Sequence, residues 1–211
     1  RYLIGDIGIL KPNSGTIQSQ IVITDDEFST VISTIPVYQT FANMGGIQGI
    51  AIDTSDNTIW FACPHENTIR HITANGISID YFSLKSPTGI SYDFVTDTLW
   101  VVTYGQKIIN VSKAGTILST YTWSGTDTMD QCFIDGVRGI LYFNGGERYT
   151  QENYLYAFDT ATQTVSIACT LTDSYSVEGI SLEQDRLVIV NDGYYHSAST
   201  PVNQANIYLL S

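Results

Sequence analysis

The sequence predicts an all-β protein of the β-propeller class, and the first observation behind this prediction is a pattern that occurs twice, forty residues apart. Residues 49–62 and residues 89–102 both begin with Gly-Ile, reach an Asp four positions later and continue with Thr-x-Trp. Short alternating strands that recur with a period near forty are typical of repeat folds, and at this chain length a propeller is favoured.

The second observation is that the pattern extends along the chain. Residues 131–143 and 179–190 carry weaker copies, each followed by a further predicted strand, and the first three copies add a fourth strand. We expect one domain over 1–211 with five blades of four antiparallel strands, incomplete in the terminal blades. The ring would then close where the termini meet or through further polypeptide. The predicted units are a partial blade at 1–44 and repeats at about 45–84, 85–124, 125–172 and 173–211.

The residues that recur in each repeat are expected to have structural roles. A glycine ahead of each inner strand allows neighbouring backbones to approach closely, and an aspartate at the strand end bonds to turn amides. A set of three catalytic carboxylates is the alternative for these aspartates, and an aromatic residue on each second strand is expected in the core. The positions concerned are Asp53, Asp93 and Asp135, and then Trp60, Trp100 and Tyr142.

Composition restricts the functions open to this chain. The net charge is −12, the isoelectric point is near 4.3, and only 14% of residues are charged. Nine Lys and Arg residues cannot build the basic groove that nucleic acid binding requires, and no apolar run is long enough to insert in a membrane. The polar places are filled by Thr, Ser, Asn, Gly and Tyr, which favours an extracellular or virion location.

Isolated cysteines and histidines give no motif. The three cysteines form no Cys-x-x-Cys pair, so we expect buried small hydrophobic residues; they are Cys63, Cys132 and Cys169. His71 follows Arg70 in a predicted strand, and we expect it to face solvent. No sequence signature of a hydrolase, a zinc protease or a nucleotide-binding loop occurs.

Residues that break the repeat predict the binding surface. The connections between second and third strands vary in length, and variable loops on a rigid scaffold usually carry binding residues. They combine Tyr, Arg, His and Gly, which suits a glycan or a protein epitope; an ordinary solvated loop is the other interpretation. The predicted ligand-binding residues are Glu147, Arg148, Tyr149, Tyr194, Tyr195, His196, His65 and Tyr104.

A second candidate site lies just before the inner strands. Asp130 and Glu178 precede two of them, and Asn144 and Asn191 end second strands, so these four side chains should lie near the mouth of the central channel. Their oxygens could form a Ca²⁺ site, but the pattern favours a hydrated polar pore, because channel ends are normally wet and polar. We refer to these four residues as the predicted metal group.

Two strings carry a resemblance to known families. Residues 177–193, which contain Val-Glu-Gly-Ile-Ser and Arg-Leu-Val-Ile-Val-Asn-Asp-Gly, and residues 88–102 resemble blades of the SdiA-regulated, NHL and SMP-30-like propellers. Lactonases among the SMP-30-like proteins hold a divalent metal with a Glu, two Asn and an Asp, and the resemblance places Glu178 and Asn191 at two of those positions. Those enzymes have six blades, and their remaining ligands do not align here. The composition is also similar to that of phage tail and fibre proteins.

The sequence therefore predicts a non-catalytic binding or structural module on a virion or cell surface. Its partner would be a glycan or protein receptor or neighbouring subunits of an assembly, without nucleic acid and without a resident cofactor. The alternative is a metal-dependent hydrolase or lactonase that acts at the channel mouth with Ca²⁺.

Overall fold

A computed structural model of the chain describes residues 2–6, 19–25, 29–37, 46–125, 128–146, 152–172, 177–183, 186–192 and 203–209. Within these ranges the strands form five antiparallel sheets, each built from strands that are consecutive in the chain. The first sheet holds β1 (Tyr2–Asp6), β2 (Gln20–Thr24) and β3 (Val31–Ile35). The second holds β4 (Gly49–Asp53), β5 (Thr58–Cys63), β6 (Thr68–Ile72) and β7 (Ser78–Ser83).

The remaining strands form three sheets of the same kind. The third sheet holds β8 (Pro87–Asp93), β9 (Thr98–Thr103), β10 (Lys107–Ser112) and β11 (Ile117–Thr122). The fourth holds β12 (Thr128–Asp135), β13 (Ile140–Gly146), β14 (Glu152–Asp159) and β15 (Thr164–Thr172). The fifth holds β16 (Val177–Glu183), β17 (Arg186–Asp192) and β18 (Asn203–Leu209).

The predicted all-β class and the four-stranded antiparallel sheets are confirmed. The number of blades and their closure into one ring stay predictions. The chain divides into two compact units, Arg1–Thr88 and Gly89–Ser211. In the described part of the chain, no helix has the length and apolar character needed to cross a membrane.

In the first unit, the sheet β1–β3 packs against the sheet β4–β7. Ile21 and Ile35 from the first sheet meet Phe61, Cys63 and Ile72 from the second in one buried apolar cluster. Each of these side chains is at most 5% exposed, so the two sheets share a dry core whose burial provides most of the stabilising free energy.

In the second unit, consecutive sheets pack in the same manner. Trp100 and Trp123 from the third sheet and its outgoing link pack against Phe143 and Phe158 of the fourth sheet. The opposite face of the fourth sheet presents Tyr142 and other apolar residues to the fifth sheet, in a cluster with Leu155, Leu171, Val177, Leu187 and Ile189. The repeated aromatic positions therefore belong to the core, as the sequence predicts.

The three repeated aspartates are turn residues, as predicted. Each stands at the end of a first strand, and its carboxylate satisfies backbone amides that the turn leaves without a partner. The amide of Ser55 donates to Asp53 at 3.0 Å, that of Val95 to Asp93 at 2.9 Å, and that of Arg138 to Asp135 at 3.0 Å.

The sequence predicts that all three cysteines are buried, and the structure confirms this for two of them. Cys63 and Cys132 are buried, and burial raises the pKa of both thiols to about 12. Cys169 is half-buried, and burial also raises the pKa of its thiol. Because their pKa values are raised, these thiols stay protonated near neutral pH. The thiolate, which is the reactive and metal-binding form, is therefore hardly populated.

One inner-strand glycine is required by close backbone contact. A Cβ atom at Gly89 in β8 would lie 2.6 Å from the backbone nitrogen of Cys132 and 2.8 Å from the Cα atom of Gln131, both in β12. At Gly179 in β16 the nearest atom would be the Cβ atom of Val190 at 3.5 Å, which is ordinary contact. The repeated glycine therefore has a steric cause at Gly89 and none at Gly179.

The substitution Gly89→Ala should lower the free energy of unfolding by about 1–3 kcal/mol, because β8 and β12 must move apart to admit the methyl group. The matched control Gly179→Ala should change it by less than about 1 kcal/mol. Urea denaturation monitored by tryptophan fluorescence measures both values. Equal effects of the two substitutions would contradict the steric explanation.

Candidate functional site

In the second to fifth sheets, the two ends of a sheet differ in their connections. In these four sheets the turns between first and second strands and between third and fourth strands are short: the shortest is 184–185 and the longest is 73–77. At the opposite end, the connections between second and third strands range from 104–106 to 193–202. We call this opposite end of the sheets the loop-rich end.

Two of the predicted ligand-binding residues lie in the described part of the loop-rich end. His65 is exposed in a 3-10 helix over Pro64–Glu66, and Tyr104 is 40% exposed in the turn between β9 and β10. The other six fall outside the described residues; they are Glu147, Arg148, Tyr149, Tyr194, Tyr195 and His196.

The turn that carries His65 is held from two directions. Asn67 closes it in the left-handed region with φ 54°, and its amide donates to the carbonyl of Pro64. The carbonyl and side-chain oxygens of Asn67 then accept hydrogen bonds from the backbone amides of Leu84 and Ser86, each at 2.8 Å. Asparagine tolerates the left-handed conformation better than most residues, so this turn is fixed before any ligand arrives.

The turn that carries Tyr104 has the same construction thirty-nine residues later. Gln106 has φ 55°, and its amide donates to the carbonyl of Thr103 at 3.0 Å. Its carbonyl accepts the amide of Trp123 at 2.8 Å, and its side-chain nitrogen donates to the carbonyl of Gly125. Both described turns are thus tied to the link that leaves the same sheet.

Within the predicted metal group, Asn144 bridges two sheets. Two residues of β12, Asp130 and Gln131, oppose Asn144 in a β-bulge. The Asn144 Oδ1 atom accepts the amide of Gln131 at 2.7 Å, and its Nδ2 atom donates to the carbonyl of Val177 in β16 at 2.9 Å. Asn144 is 1% exposed, so its amide satisfies two buried backbone groups that would otherwise lack partners.

A matching bulge places Glu178 in the next sheet. Val177 pairs with Asn191 and Gly179 pairs with Val190, so Glu178 is the extra residue of β16. The structure thus gives Asp130 and Glu178 corresponding positions in consecutive first strands. The side chain of Asn191 lies outside the described residues.

Within the predicted metal group, the hydrogen bonding of Asn144 argues against that residue as a Ca²⁺ ligand. Ca²⁺ takes six to eight oxygen ligands, whereas the side-chain oxygen of Asn144 already accepts a backbone hydrogen bond. Across the described ranges, no three side chains of His, Cys, Asp or Glu form a group that could hold an ion. The Ca²⁺ site stays a prediction.

The substitution Asn144→Ala should lower the free energy of unfolding by about 2–4 kcal/mol, because it leaves a buried amide and a buried carbonyl unpaired. The control Asn110→Ala removes a half-buried side chain whose Nδ2 atom donates to Thr98 Oγ1 at 2.8 Å, and it should cost about 1 kcal/mol. Chemical denaturation compares the two. A loss at Asn144 no larger than that at Asn110 would contradict a bridging role.

The prediction that His71 faces solvent is wrong. His71 is 7% exposed, and its ring stacks on Trp60 with centroids 3.7 Å apart and planes inclined by 6°. The register places Trp60 opposite His71 on β5 and Asp80 opposite it on β7. These two cross-strand neighbours, which the local sequence does not reveal, account for its burial.

The polar contacts of His71 resemble a catalytic triad in outline only. Its Nδ1 atom lies 3.1 Å from Asp80 Oδ1, and its Nε2 atom lies 2.6 Å from Thr58 Oγ1. The Thr58 hydroxyl also donates to Asp56 Oδ1 at 2.6 Å. A carboxylate can only accept, so the hydroxyl proton is directed to Asp56 and not to the imidazole. The contacts tie β5, β6 and β7 together.

The structure shows a groove that the sequence interpretation missed. It has a volume of about 450 Å³ and lies between the end of β11 and the strands β14 and β15. Tyr121, Trp123 and Tyr156 supply aromatic surface, and the Trp123 and Tyr156 ring centroids are 4.8 Å apart. The signal was the aromatic pair Tyr121 and Trp123 at the end of a fourth strand, but only the packing of two sheets brings them to Tyr156.

Comparisons with known proteins identify the type of repeat. Neither a protein-family model nor a curated protein matches the chain. A chain in a crystal structure of a nidogen/laminin complex is 16% identical, with a TM-score of 0.60 over 84% of this chain and 68% of its own. The WD40 repeats of RRP9 are 13% identical, with a TM-score of 0.58 over 87% of this chain and 56% of their own.

A third similar structure is virginiamycin B lyase from Staphylococcus aureus. It is 22% identical, with a TM-score of 0.53 over 86% of this chain and 61% of its own. The chain thus spans between 56% and 68% of these three structures. The neighbours are β-propeller proteins, which shows that the repeat is of the propeller type. At these identities the likeness shows the fold alone.

Proposed function

We propose that this chain is a non-catalytic propeller module that recognises a glycan or a protein through its loop-rich end, on a virion or cell surface. The observation that carries this proposal is the contrast between the two ends of the sheets. In the second to fifth sheets, the connections at one end range from 104–106 to 193–202, whereas the turns at the other end range only from 184–185 to 73–77. A scaffold that keeps its strands and varies one set of loops is suited to binding.

The described loops support this proposal through their rigidity. His65 and Tyr104 lie on turns that the hydrogen bonds of Asn67 and Gln106 hold in place. Binding would not require these turns to become ordered, which lowers the entropic cost of binding. An exposed tyrosine on a rigid turn offers apolar area and a hydroxyl at low entropic cost. The low charge, 14% of residues, is consistent with a partner recognised through aromatic and neutral polar contacts.

Protein partners are further supported by the similar structures. Two of them are named for assemblies or repeats, the nidogen/laminin complex and the WD40 repeats of RRP9. We extend partner binding from those proteins to this chain as part of the proposal, because the propeller type is what they share.

The loop-rich end can be tested with glycan and cell-surface protein arrays. Replacing Tyr104, Tyr149, Tyr194 and Tyr195 by alanine, singly and together, should weaken binding of any array ligand at least about tenfold, since aromatic hot spots contribute roughly 2 kcal/mol or more. The control Phe94→Ala removes an aromatic residue, 60% exposed, from a short turn at the opposite end. Unchanged binding in the tyrosine variants, or equal loss in Phe94→Ala, would contradict the proposal.

The second candidate function is a metal-dependent hydrolase or lactonase, and the paired bulges favour it. Asp130 and Glu178 occupy matching bulges, and bulges often re-aim side chains beside active sites. Both carboxylates belong to first strands that pack together through Asn144. This arrangement would present two anionic groups near one another without help from the loops.

Isothermal titration with CaCl₂ tests this candidate. A metal site predicts stoichiometric binding that weakens at least about tenfold in Glu178→Gln, because one charged ligand is lost while the shape is kept. The control Glu66→Gln alters a carboxylate that pairs with Arg70 and should leave binding unchanged. Absence of binding to the wild-type protein would remove this candidate.

A further inference from the structure

We infer that His71 is a pH-sensitive element of the sheet β4–β7. In the arrangement that the structure shows, the imidazole carries a hydrogen on both ring nitrogens, and loss of the Nε2 proton at higher pH turns the Thr58 hydroxyl away from Asp56. These groups lie in the sheet and in the turn 54–57, at the end opposite to the loop-rich end, so this role is independent of the proposed function.

The hydrogen-bonding capacity of three groups determines the protonation of the ring. Nδ1 of His71 lies 3.1 Å from Asp80 Oδ1, and an ionised carboxylate only accepts, so Nδ1 carries a hydrogen. The single hydrogen of the Thr58 hydroxyl is donated to Asp56 Oδ1 at 2.6 Å. The remaining contact joins Nε2 to Thr58 Oγ1 at 2.6 Å, and it is a hydrogen bond only if Nε2 also carries a hydrogen. An imidazole with both hydrogens is a cation.

The charges around the imidazole favour this cation, because a nearby carboxylate stabilises the charged form of a histidine. Three carboxylates adjoin His71 or Thr58; they are Asp80 opposite His71 on β7, Asp53 opposite Thr58 on β4, and Asp56 in the turn between β4 and β5. Asp53 also accepts hydrogen bonds from the amide and the hydroxyl of Ser55. Arg70 precedes His71 in β6, so it points to the opposite face of the sheet, where it pairs with Glu66.

The packing around His71 also suits a buried cation. His71 is 7% exposed, and a buried charge is costly unless its hydrogens have partners. Both ring hydrogens have a partner, at Asp80 and at Thr58. The Trp60 ring lies parallel to the imidazole with centroids 3.7 Å apart, and the face of an indole attracts cations. The ring is therefore held on its edges by acceptors and on one face by an aromatic surface.

One of the two ring protons is easier to remove than the other. Without its hydrogen, Nδ1 would direct a lone pair at the Asp80 carboxylate, and two acceptors repel each other. Without its hydrogen, Nε2 can accept the Thr58 hydroxyl, which rotates away from Asp56. Asp56 then keeps only the backbone amide of Thr58, at 3.0 Å, from this pair of bonds. We therefore expect the Nε2 proton to pass to water as the pH rises, and the turn 54–57 to lose one hydrogen bond.

Long-range ¹H–¹⁵N NMR of the full chain tests the protonation directly, because the ring nitrogen shifts report which nitrogens carry hydrogen. From about pH 5.5 to about pH 8.5, the range that brackets ordinary histidine titration, His71 should change from two ring hydrogens to one on Nδ1. The signals of His71 are assigned by their absence in His71→Gln. If that variant does not fold, His65→Gln and His196→Gln assign them by elimination.

Three NMR results would overturn the inference. The first is a single ring hydrogen already at about pH 5.5, the second is a neutral ring with its hydrogen on Nε2, and the third is a ring that keeps both hydrogens at about pH 8.5.

The charge of Asp80 can be tested through the stability of the protein. A histidine in an unfolded chain loses its proton near about pH 6.5, so contacts that hold the proton in the folded chain stabilise fully below that pH and less above it. The urea midpoint of Asp80→Asn should therefore fall less than that of the wild type between about pH 5.5 and about pH 8.5. The control Asp97→Asn should keep the wild-type fall, since Asp97 is 61% exposed, much like Asp80 at 59%, but pairs with Lys113. Equal falls in Asp80→Asn and the wild type would overturn the inference.

The role of the Thr58 hydroxyl has a separate readout. In the wild type, the amide shift of residue 58 should change with the same midpoint pH as the His71 ring, because this amide shares the acceptor Asp56 with the hydroxyl. Thr58→Val removes the hydroxyl and keeps the amide, so the change at position 58 should become at least about twofold smaller. An equal change in both proteins would show that the hydroxyl does not carry the effect to Asp56, and it would overturn this part of the inference.

Discussion

The constraint on which the second unit depends is that β8 and β12, the first strands of two consecutive sheets, are buried edges. Water cannot reach the backbone groups on these edges, so they need partners within the protein. The Ser91 hydroxyl accepts the amide of Ile134 at 3.0 Å, and Asn144 bonds to Gln131 and Val177. Small and polar residues therefore recur at these positions because adjacent backbones must approach and still be hydrogen-bonded.

Because these hydrogen bonds hold the inner strands together, the stability of the scaffold does not depend on the loops. When the inner strands are fixed by their own neighbours, the opposite ends of the second strands can carry connections of any length. The two described turns illustrate this separation. Asn67 and Gln106 adopt the same left-handed conformation, and each accepts a backbone hydrogen bond from the link that leaves its own sheet. Differences in binding can then arise from residues such as His65 and Tyr104 while the backbone beneath them is unchanged.

Periodicity made the strands and turns predictable, because Gly, Asp and Trp recur for local reasons. Asp93 bonds to the turn that follows it, and that requirement is visible in the sequence itself. His71 and the groove were not predictable, since each depends on which residues face one another across strands or sheets. The sequence predicts the side-chain oxygen of Asn144 as a metal ligand, whereas in the structure this oxygen accepts a hydrogen bond from a backbone amide.

Native-state hydrogen exchange at the amides of Gln131 and Ile134 tests the buried-edge constraint most directly. Both amides donate to side chains of other strands and not to the regular ladder. If these bonds hold the inner strands together, both amides exchange only through global unfolding, with a free energy equal to that of chemical denaturation. Exchange within minutes through local opening, while the core of β13 stays protected, would contradict the account.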